Sequence, residues 1–281
     1  MKVLVIGSNG MAGHVVTAYL KEKGYNVTTM AREDADICLD IENTDKLDKF
    51  FKWLLNATRR DFDFVINCVG VLIGEANANP TRASYVNAFF PHYLEEAYSG
   101  TNTRIIHLST DCVFDGKKGD RYLEDDVHTE MNFYGRSKSL GEINNEKDIT
   151  FRMSIIGPEK KKDGTGLMNW FMTTDQEVTG WDNAFWNGLT TLELAKCIDN
   201  YMQNPNISGI HHLTTDSNEI SKYDLLVKIS EHFKLNKPVK KGNGPKPVNK
   251  ILKNSRQQFK INDYDTQLKE LFEFYSDRIS K

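Results

Sequence analysis

Short apolar runs alternate with amphipathic stretches along this chain, a pattern that predicts parallel strands separated by helices. Lys2 to Ile6 is β-branched and apolar at consecutive positions, as in a strand covered on both faces. Asn26 to Met30, Phe62 to Val69, Arg104 to Ser109 and Ile149 to Ile156 repeat that signal. Between them, His14 to Lys23, Thr44 to Thr58 and Thr81 to Tyr98 read as helices. Leu192 to Met202 reads as a further amphipathic helix, opened by Thr190-Thr191-Leu192-Glu193, a capping-box spacing. The alternation predicts an α/β fold of the doubly wound, Rossmann type. Glu159-Lys160-Lys161-Lys162-Asp163 and Lys240 to Pro247 are rich in charge and breakers and read as solvated loops, the second with a weaker claim on a diphosphate.

The first strand runs directly into Gly7-Ser8-Asn9-Gly10-Met11-Ala12-Gly13 and then into a helix. Gly7 permits a tight turn, Gly10 lets a pyrophosphate approach the backbone, and Gly13 allows the helix to pack closely on the strand. The helix start then offers unpaired N–H groups and a positive dipole end to phosphate. Strand, glycine turn and helix in this order predict a dinucleotide site, although the spacing is GxxGxxG.

A second candidate for chemistry is Tyr134-Gly135-Arg136-Ser137-Lys138. On a helix, residues four apart face the same way. An ammonium beside a phenol favours the phenolate, which lets the phenol exchange a proton near neutral pH. Alone the spacing is common on solvated helix faces. Here it follows both the glycine turn and Ser109-Thr110-Asp111.

With 281 residues and a net charge of −3 from interspersed acids and bases, the chain suits an enzyme with a real core and lacks a nucleic-acid surface. No apolar run is long enough to span a membrane, and the N-terminal stretch lacks the features of a secretory signal, so a cytoplasmic protein is expected. Cys38, Cys68, Cys112 and Cys197 show no metal spacing and read as reduced thiols. His211 and His212 are adjacent, so a strand would point them to opposite faces, which favours a strand over a metal site.

Taken together, these motifs resemble an extended short-chain dehydrogenase/reductase, most closely the dTDP-4-dehydrorhamnose reductase group. The resemblance rests on the glycine turn, Tyr85-Val86-Asn87, Ser109 to Gly116, and Tyr134 to Glu142. Phe151 to Gly157 and Gly188 to Ala195 extend it, and it weakens beyond about Pro205. It implies a dinucleotide-binding domain over 1–156, rejoined by 187–207. A smaller C-terminal substrate-binding domain would comprise 157–186 and 208–281. Tyr134 would protonate the oxygen of a reduced ketone, Lys138 would lower the phenol's pKa and bond the nicotinamide ribose, and Thr110 would donate to the same oxygen. Asn9 and Met11 would join Gly7, Gly10 and Gly13 at the cofactor. Asp40 and Ile41 would edge the adenine, and Cys68, Val69 and Gly70 would lie beneath its ribose, with packing an equal use for Ile41 and Val69. Asn87 would support the proton relay or simply bond backbone.

Cofactor choice rests on the end of the second strand. Arg32 there favours the 2′-phosphate of NADPH, while Glu33 and Asp34 leave NADH open. Ser109, Asp111, Trp181, Trp186 and Arg256 are candidate substrate contacts. For these the alternatives are an outward-facing strand position for Ser109, loop ordering by Asp111, core packing of the tryptophans and an ordinary surface arginine. The implied reaction is reduction of a keto group, expected at C4, on a nucleotide-activated deoxysugar for cell-envelope polysaccharide. The resemblance allows a homodimer, and no ligand cluster points to a metal. Related dehydratases carry Thr-Asp-Glu where this chain has Thr110-Asp111-Cys112, so the eliminating base is missing. Cys112 also departs from the Tyr usual in the reductases. An epimerase with tightly held NAD is a further reading. So is a non-catalytic dinucleotide-binding subunit like the methionine adenosyltransferase β subunit, although the intact Thr110, Tyr134 and Lys138 argue against it.

Overall fold

The computed structural model describes residues 1–56, 62–160, 164–215 and 219–279; the expected helix end at Thr58 and the loop residues Lys161 to Asp163 lie outside them. Seven parallel strands form the central sheet: β1 (Lys2–Ile6), β2 (Asn26–Ala31), β3 (Ile37–Cys38), β4 (Phe64–Asn67), β5 (Arg104–Thr110), β6 (Ile149–Met153) and β7 (Gly209–His212). Their spatial order is β7-β6-β5-β4-β1-β2-β3, so the winding reverses between β1 and β4. In an open α/β sheet, that reversal opens the crevice in which ligands bind, at the carboxyl ends of the strands.

β1 shows why the sheet is stable. Val3 and Val5 face one core with Val16, Leu20, Ile106 and Phe151, while Leu4 and Ile6 face another with Val65, Phe51, Phe90 and Leu94. The period-two alternation buries both faces, and each fully covered aliphatic side chain contributes about 1.5–3 kcal/mol. Helix α1 (Met11–Glu22) and, further along, the helix Thr191–Gln203 pack on the first face; α2 (Thr44–Asn56) and α3 (Phe90–Ala97) pack on the second. The Thr190 hydroxyl accepts from the Glu193 N–H at 3.2 Å and caps Thr191–Gln203, as its sequence predicted. Just before α3, residues Ser84–Phe89 form a π-helical turn that carries Asn87.

Three sequence expectations are corrected here. The strand expected over Ile149 to Ile156 breaks at Ser154, and Ile155–Ile156 pairs instead with Leu189–Thr190. The smaller domain also does not hold everything after 208, because Gly209–His212 pairs in parallel with β6 and closes the sheet edge. Within Lys240 to Pro247, the first residues belong to a strand, Val239–Gly242, paired with Val178–Trp181. A third core, with Val15, Trp186, Leu225 and Leu268, joins these outlying segments to α1.

The glycine turn depends on close backbone approach. Gly7 adopts φ +79°, and a Cβ at Gly13 would lie 2.1 Å from the Gly7 carbonyl oxygen. Gly13→Ala is therefore expected to lower stability by about 1–3 kcal/mol, read from urea unfolding. An unchanged midpoint would mean that the turn relaxes without cost.

Candidate active site

Three chain segments meet at the carboxyl ends of β1, β4 and β5. The glycine turn brings Gly10 to the start of α1, with its N–H bonded to the Gly7 carbonyl at 3.0 Å and no side chain capping the helix. After β4, the turn Cys68-Val69-Gly70 is held by the Val69 N–H on Asn67 Oδ1 at 3.1 Å. A Cβ at Gly70 would sit 4.0 Å from Lys138 Nζ, so this turn lies directly beside the lysine.

Thr110 ends β5. Its hydroxyl accepts from the Cys112 N–H and donates to Asp111 Oδ1, each at 3.1 Å, which starts the single 3₁₀ turn Asp111–Val113. Tyr134 and Lys138 lie on α4 (Phe133–Leu140), whose N-cap Asn132 accepts from the Gly135 N–H at 2.9 Å. Gly135 is required because a Cβ there would lie 2.3 Å from the Cys112 carbonyl oxygen. It locks the Tyr134 helix against the Thr110 turn.

Burial pushes the Tyr134 phenol well above its ordinary pKa, and Cys112 and Asp111 push the same way; a hydrogen bond with the Thr110 side chain opposes them. Tyr134 is therefore protonated at neutral pH. Lys138 donates to the Leu108 carbonyl at 2.6 Å, and burial lowers its ammonium to about pKa 8 against the pull of Glu142 and Cys68. The Lys138 ammonium is engaged by the strand below, and in the resting site desolvation of the phenol outweighs any lowering of its pKa by that charge.

Beneath the trio lies a buried charge cluster that the sequence reading missed. Arg152, on β6, is 0% exposed. Its Nε donates to Glu142 Oε1 at 2.8 Å and one terminal nitrogen to Glu142 Oε2 at 2.6 Å. That same nitrogen meets His128 Nε2 at 2.7 Å; the other meets His212 Nε2 at 2.8 Å and the Glu124 carbonyl at 3.1 Å. All five guanidinium N–H groups are thereby used. Both imidazoles must accept through Nε2, so each carries its proton on Nδ1, His212 donating to the Lys253 carbonyl and His128 to Ser139 Oγ. Burial would raise the Glu142 carboxyl, but the bidentate bond to Arg152 holds it below its ordinary range. The available signals were an arginine inside an apolar strand and a glutamate just past Lys138.

Residues 1–269 match the RmlD substrate binding domain. The chain belongs to that family. A dTDP-4-dehydrorhamnose reductase of Mycolicibacterium smegmatis is 33% identical over 143 residues, 50% of this chain and 40% of that protein. The chain spans about half the length of the curated relatives it matches. Among solved structures, a dTDP-4-dehydrorhamnose reductase of Clostridium acetobutylicum superposes with a TM-score of 0.78 at 24% identity, covering 100% of both chains. A dTDP-4-dehydrorhamnose reductase of Bacillus anthracis in complex with NADP gives 0.80 at 17% identity, covering 97% of this chain and 98% of that one.

Within this RmlD-family chain, several expected contacts fall elsewhere. Ser109 turns away from Thr110's side, as the pleat demands, and donates to Glu142 Oε1 at 2.6 Å; it does not face substrate. Asn87 spends its amide on the Val71 N–H, the Val71 carbonyl and Ser137 Oγ, which ties the turn after β4 to α4. These bonds match the backbone-bonding alternative. Trp186 is 7% exposed, donates to Ser154 Oγ at 2.8 Å and stacks on Tyr264, so it is core. Arg256 pairs with Asp125 at 3.2 Å and lies 4.0 Å from the Cβ position at Gly209, the first residue of β7. This is the amino end of the sheet, so Arg256 cannot reach a diphosphate beside Thr110.

Trp181 remains open at 37% exposed, with Lys222 Nζ 5.6 Å from its ring. Asp111 is half-buried; its desolvation raises its pKa, and Lys250 and Lys222 pull it down. Lys250 donates to Glu130 Oε2 at 2.9 Å, beside the N-terminus of α4. Both lysines escaped the sequence reading, because they come from the weakly matched C-terminal part. Arg32 is exposed beyond the end of β2, and Asn9 donates to the Glu33 carbonyl at 2.7 Å beside it. Asp40 accepts from the Glu42 N–H at 3.1 Å, while Ile41 is buried in the second core. All four cysteines are free thiols. Among the described residues, no helix is long and apolar enough to cross a membrane, and no group of three His, Cys, Asp or Glu could hold a metal.

The cluster carries a pH signature. Burial and the Arg152 charge push His212 down to about pKa 4, against an ordinary 6.5. Between those values the unfolded chain binds the extra proton, so stability falls as pH drops from 6.5 toward 4. His212→Gln, whose amide oxygen can still accept from Arg152, should flatten this slope in unfolding midpoints measured across that range. An unaltered slope would show that other groups govern acid sensitivity.

Proposed function

We propose that this protein is an NADPH-dependent reductase of a keto group, at C4, on a nucleotide-activated deoxysugar used for cell-envelope polysaccharide. The reading rests on one observation: a phenol kept protonated beside Thr110 at the mouth of the sheet, one helical turn before a buried ammonium. Reduction consumes a proton at the carbonyl oxygen, and a high-pKa phenol stores that proton at neutral pH. The family membership and the reductases among its relatives support the same reaction class.

The residues present fit the cofactor. A Cβ at Gly13 or Gly10 would crowd the turn that receives a pyrophosphate, with Asn9 and Met11 on either side. The exposed Arg32 suits a 2′-phosphate, Asp40 and Ile41 the adenine edge, and Cys68-Val69-Gly70 the ribose beneath. The Bacillus anthracis relative described in complex with NADP supports this choice. NADPH, when bound, supplies the hydride. Tyr134 hands its proton to the oxygen of the reduced carbonyl, so no bare alkoxide accumulates. Thr110 Oγ1 turns from Asp111 to donate to the same oxygen. Lys138, charged at neutral pH, stabilises the phenolate that remains. Lys222 and Lys250, which act on Asp111, and Trp181 beside Lys222 would hold the sugar and its diphosphate. Both substrates are cytoplasmic metabolites, and the enzyme would act there.

The test is loss of reduced-nicotinamide absorbance with a panel of nucleotide 4-keto-6-deoxysugars. Tyr134→Phe should lower kcat by about 10²- to 10⁴-fold while still binding NADPH. Net cofactor consumption separates a reductase from an epimerase, which would consume none. Arg32→Ala should raise KM for NADPH by roughly ten- to a hundredfold, the loss of a hydrogen-bonded charge, with little change for NADH. Equal effects on both cofactors would remove Arg32 from the 2′-phosphate.

A further inference from the structure

A lysine that supports a departing proton must itself stay charged, yet Lys138 is buried and burial favours the neutral amine. Its surroundings supply one carboxylate, Glu142, four residues further along. The Cys68 thiol at the end of β4 and the His107 imidazole on β5 also face it, and burial keeps both neutral. Tyr134 shares its helix and is protonated. Lys138 Nζ bonds the Leu108 carbonyl at 2.6 Å, while Glu142 Oε1 accepts from the hydroxyl of the next residue, Ser109, at 2.6 Å. Ammonium and carboxylate thus grip consecutive residues of β5, immediately before Thr110.

Glu142 is not free to leave. Arg152 holds both its oxygens, and Arg152 is fixed by two neutral imidazoles and a backbone carbonyl. We propose that Glu142, clamped by Arg152, is a positioning residue for the reaction: it keeps Lys138 cationic and, through Ser109, sets the end of β5 that presents Thr110. The inference rests on the reductase reading for its catalytic consequence, but not for its first readout. Glu142 faces the lysine from its own segment, Arg152 and Ser109 reach it from the neighbouring strands β6 and β5, and His128 lies 3.5 Å from Glu142 Oε2. Burial holds His128 neutral at and above pH 7, so over the range in which Lys138 titrates only Glu142 contributes a negative charge.

The first readout is the titration of Lys138 itself, followed by NMR in protein carrying ¹³Cε-labelled lysine and assigned by the signal missing in Lys138→Met. Glu142→Gln should move the Lys138 midpoint down by about one pH unit or more. Because that variant leaves Arg152 charged and unpaired in the core, Glu142→Gln with Arg152→Met is measured beside it, which removes both buried charges together. The pair variant should shift in the same direction by less, because the opposing Arg152 charge is lost as well, and Glu142→Asp should recover part of the shift seen with Glu142→Gln. With substrate, the alkaline limb of kcat/KM should shift by the same amount. A Lys138 midpoint that stays in place in both variants overturns the inference, even if kcat falls at every pH. Absence of NADPH turnover with any keto sugar in the unaltered protein would instead defeat the reductase reading, leaving the titration result to stand by itself.

Discussion

The buried pair of Arg152 and Glu142 is the constraint on which the rest of the site depends. A guanidinium removed from water is tolerable only when every N–H finds an acceptor, and here two carboxylate oxygens, two imidazole nitrogens and one carbonyl provide five. Those acceptors belong to three distant parts of the chain: the segment at Glu124 and His128, Glu142 just past the end of α4, and β7. Satisfying one side chain therefore fixes the edge strand, the helix carrying Tyr134, and the loop over Phe114, whose ring lies 5.2 Å beneath the guanidinium. Such a pair contributes less to net stability than to specifying one arrangement, since any shift of these segments strands a charge.

That fixed arrangement explains the opposite states of two neighbouring groups. Tyr134 is desolvated with no cation close enough to dominate, so it holds its proton. Lys138 is equally desolvated, but a carboxylate that cannot be protonated easily stands nearby. Burial pushes the phenol's pKa up and the ammonium's down, and the position of one negative charge moderates only the second. A proton donor and a persistent cation can then coexist one helical turn apart. The same environment keeps Cys112 and Cys68 as thiols, with pKa values raised to about 12, so they add polarity without nucleophilic reactivity.

Features governed by local backbone rules were legible in the sequence. The run Lys2 to Ile6, the spacing Gly7-Gly10-Gly13, the Thr190 cap and the i,i+4 relation of Tyr134 to Lys138 each follow from periodicity or from the room a glycine leaves. Features decided by tertiary contact were not. Ser109 and Thr110 are adjacent, and only the pleat together with the position of Glu142 sends the serine to the ion pair. Trp186 and Trp181 share a segment, but one stacks on Tyr264 from the helix Tyr264–Ile279 and the other does not. Arg256 follows a stretch paired to Tyr122 through Leu252, which carries it to the wrong end of the sheet. The adjacent histidines of Gly209–His212 suggested a strand, but only the open edge of β6 decides that it joins the central sheet.

This division has a physical origin that bears on specificity. The larger part of the chain hangs on a continuous seven-stranded sheet, where a displaced residue disturbs two cores at once. The smaller part is assembled from two- to four-residue strands, Val178–Trp181 with Val239–Gly242, and Ala184–Trp186 with Ile220–Ser221 and Val248–Asn249. Trp181, Lys222 and Lys250 all sit in or beside these short pieces, so their side chains can change without unseating the sheet. Asp111 and Cys112 stand between the halves, in a turn that begins on the rigid strand and faces the two lysines. Thr110, Tyr134 and Lys138 are therefore held where the backbone admits few residues. The cationic and aromatic groups that the short segments bring to that turn lie where sequence carries the least constraint.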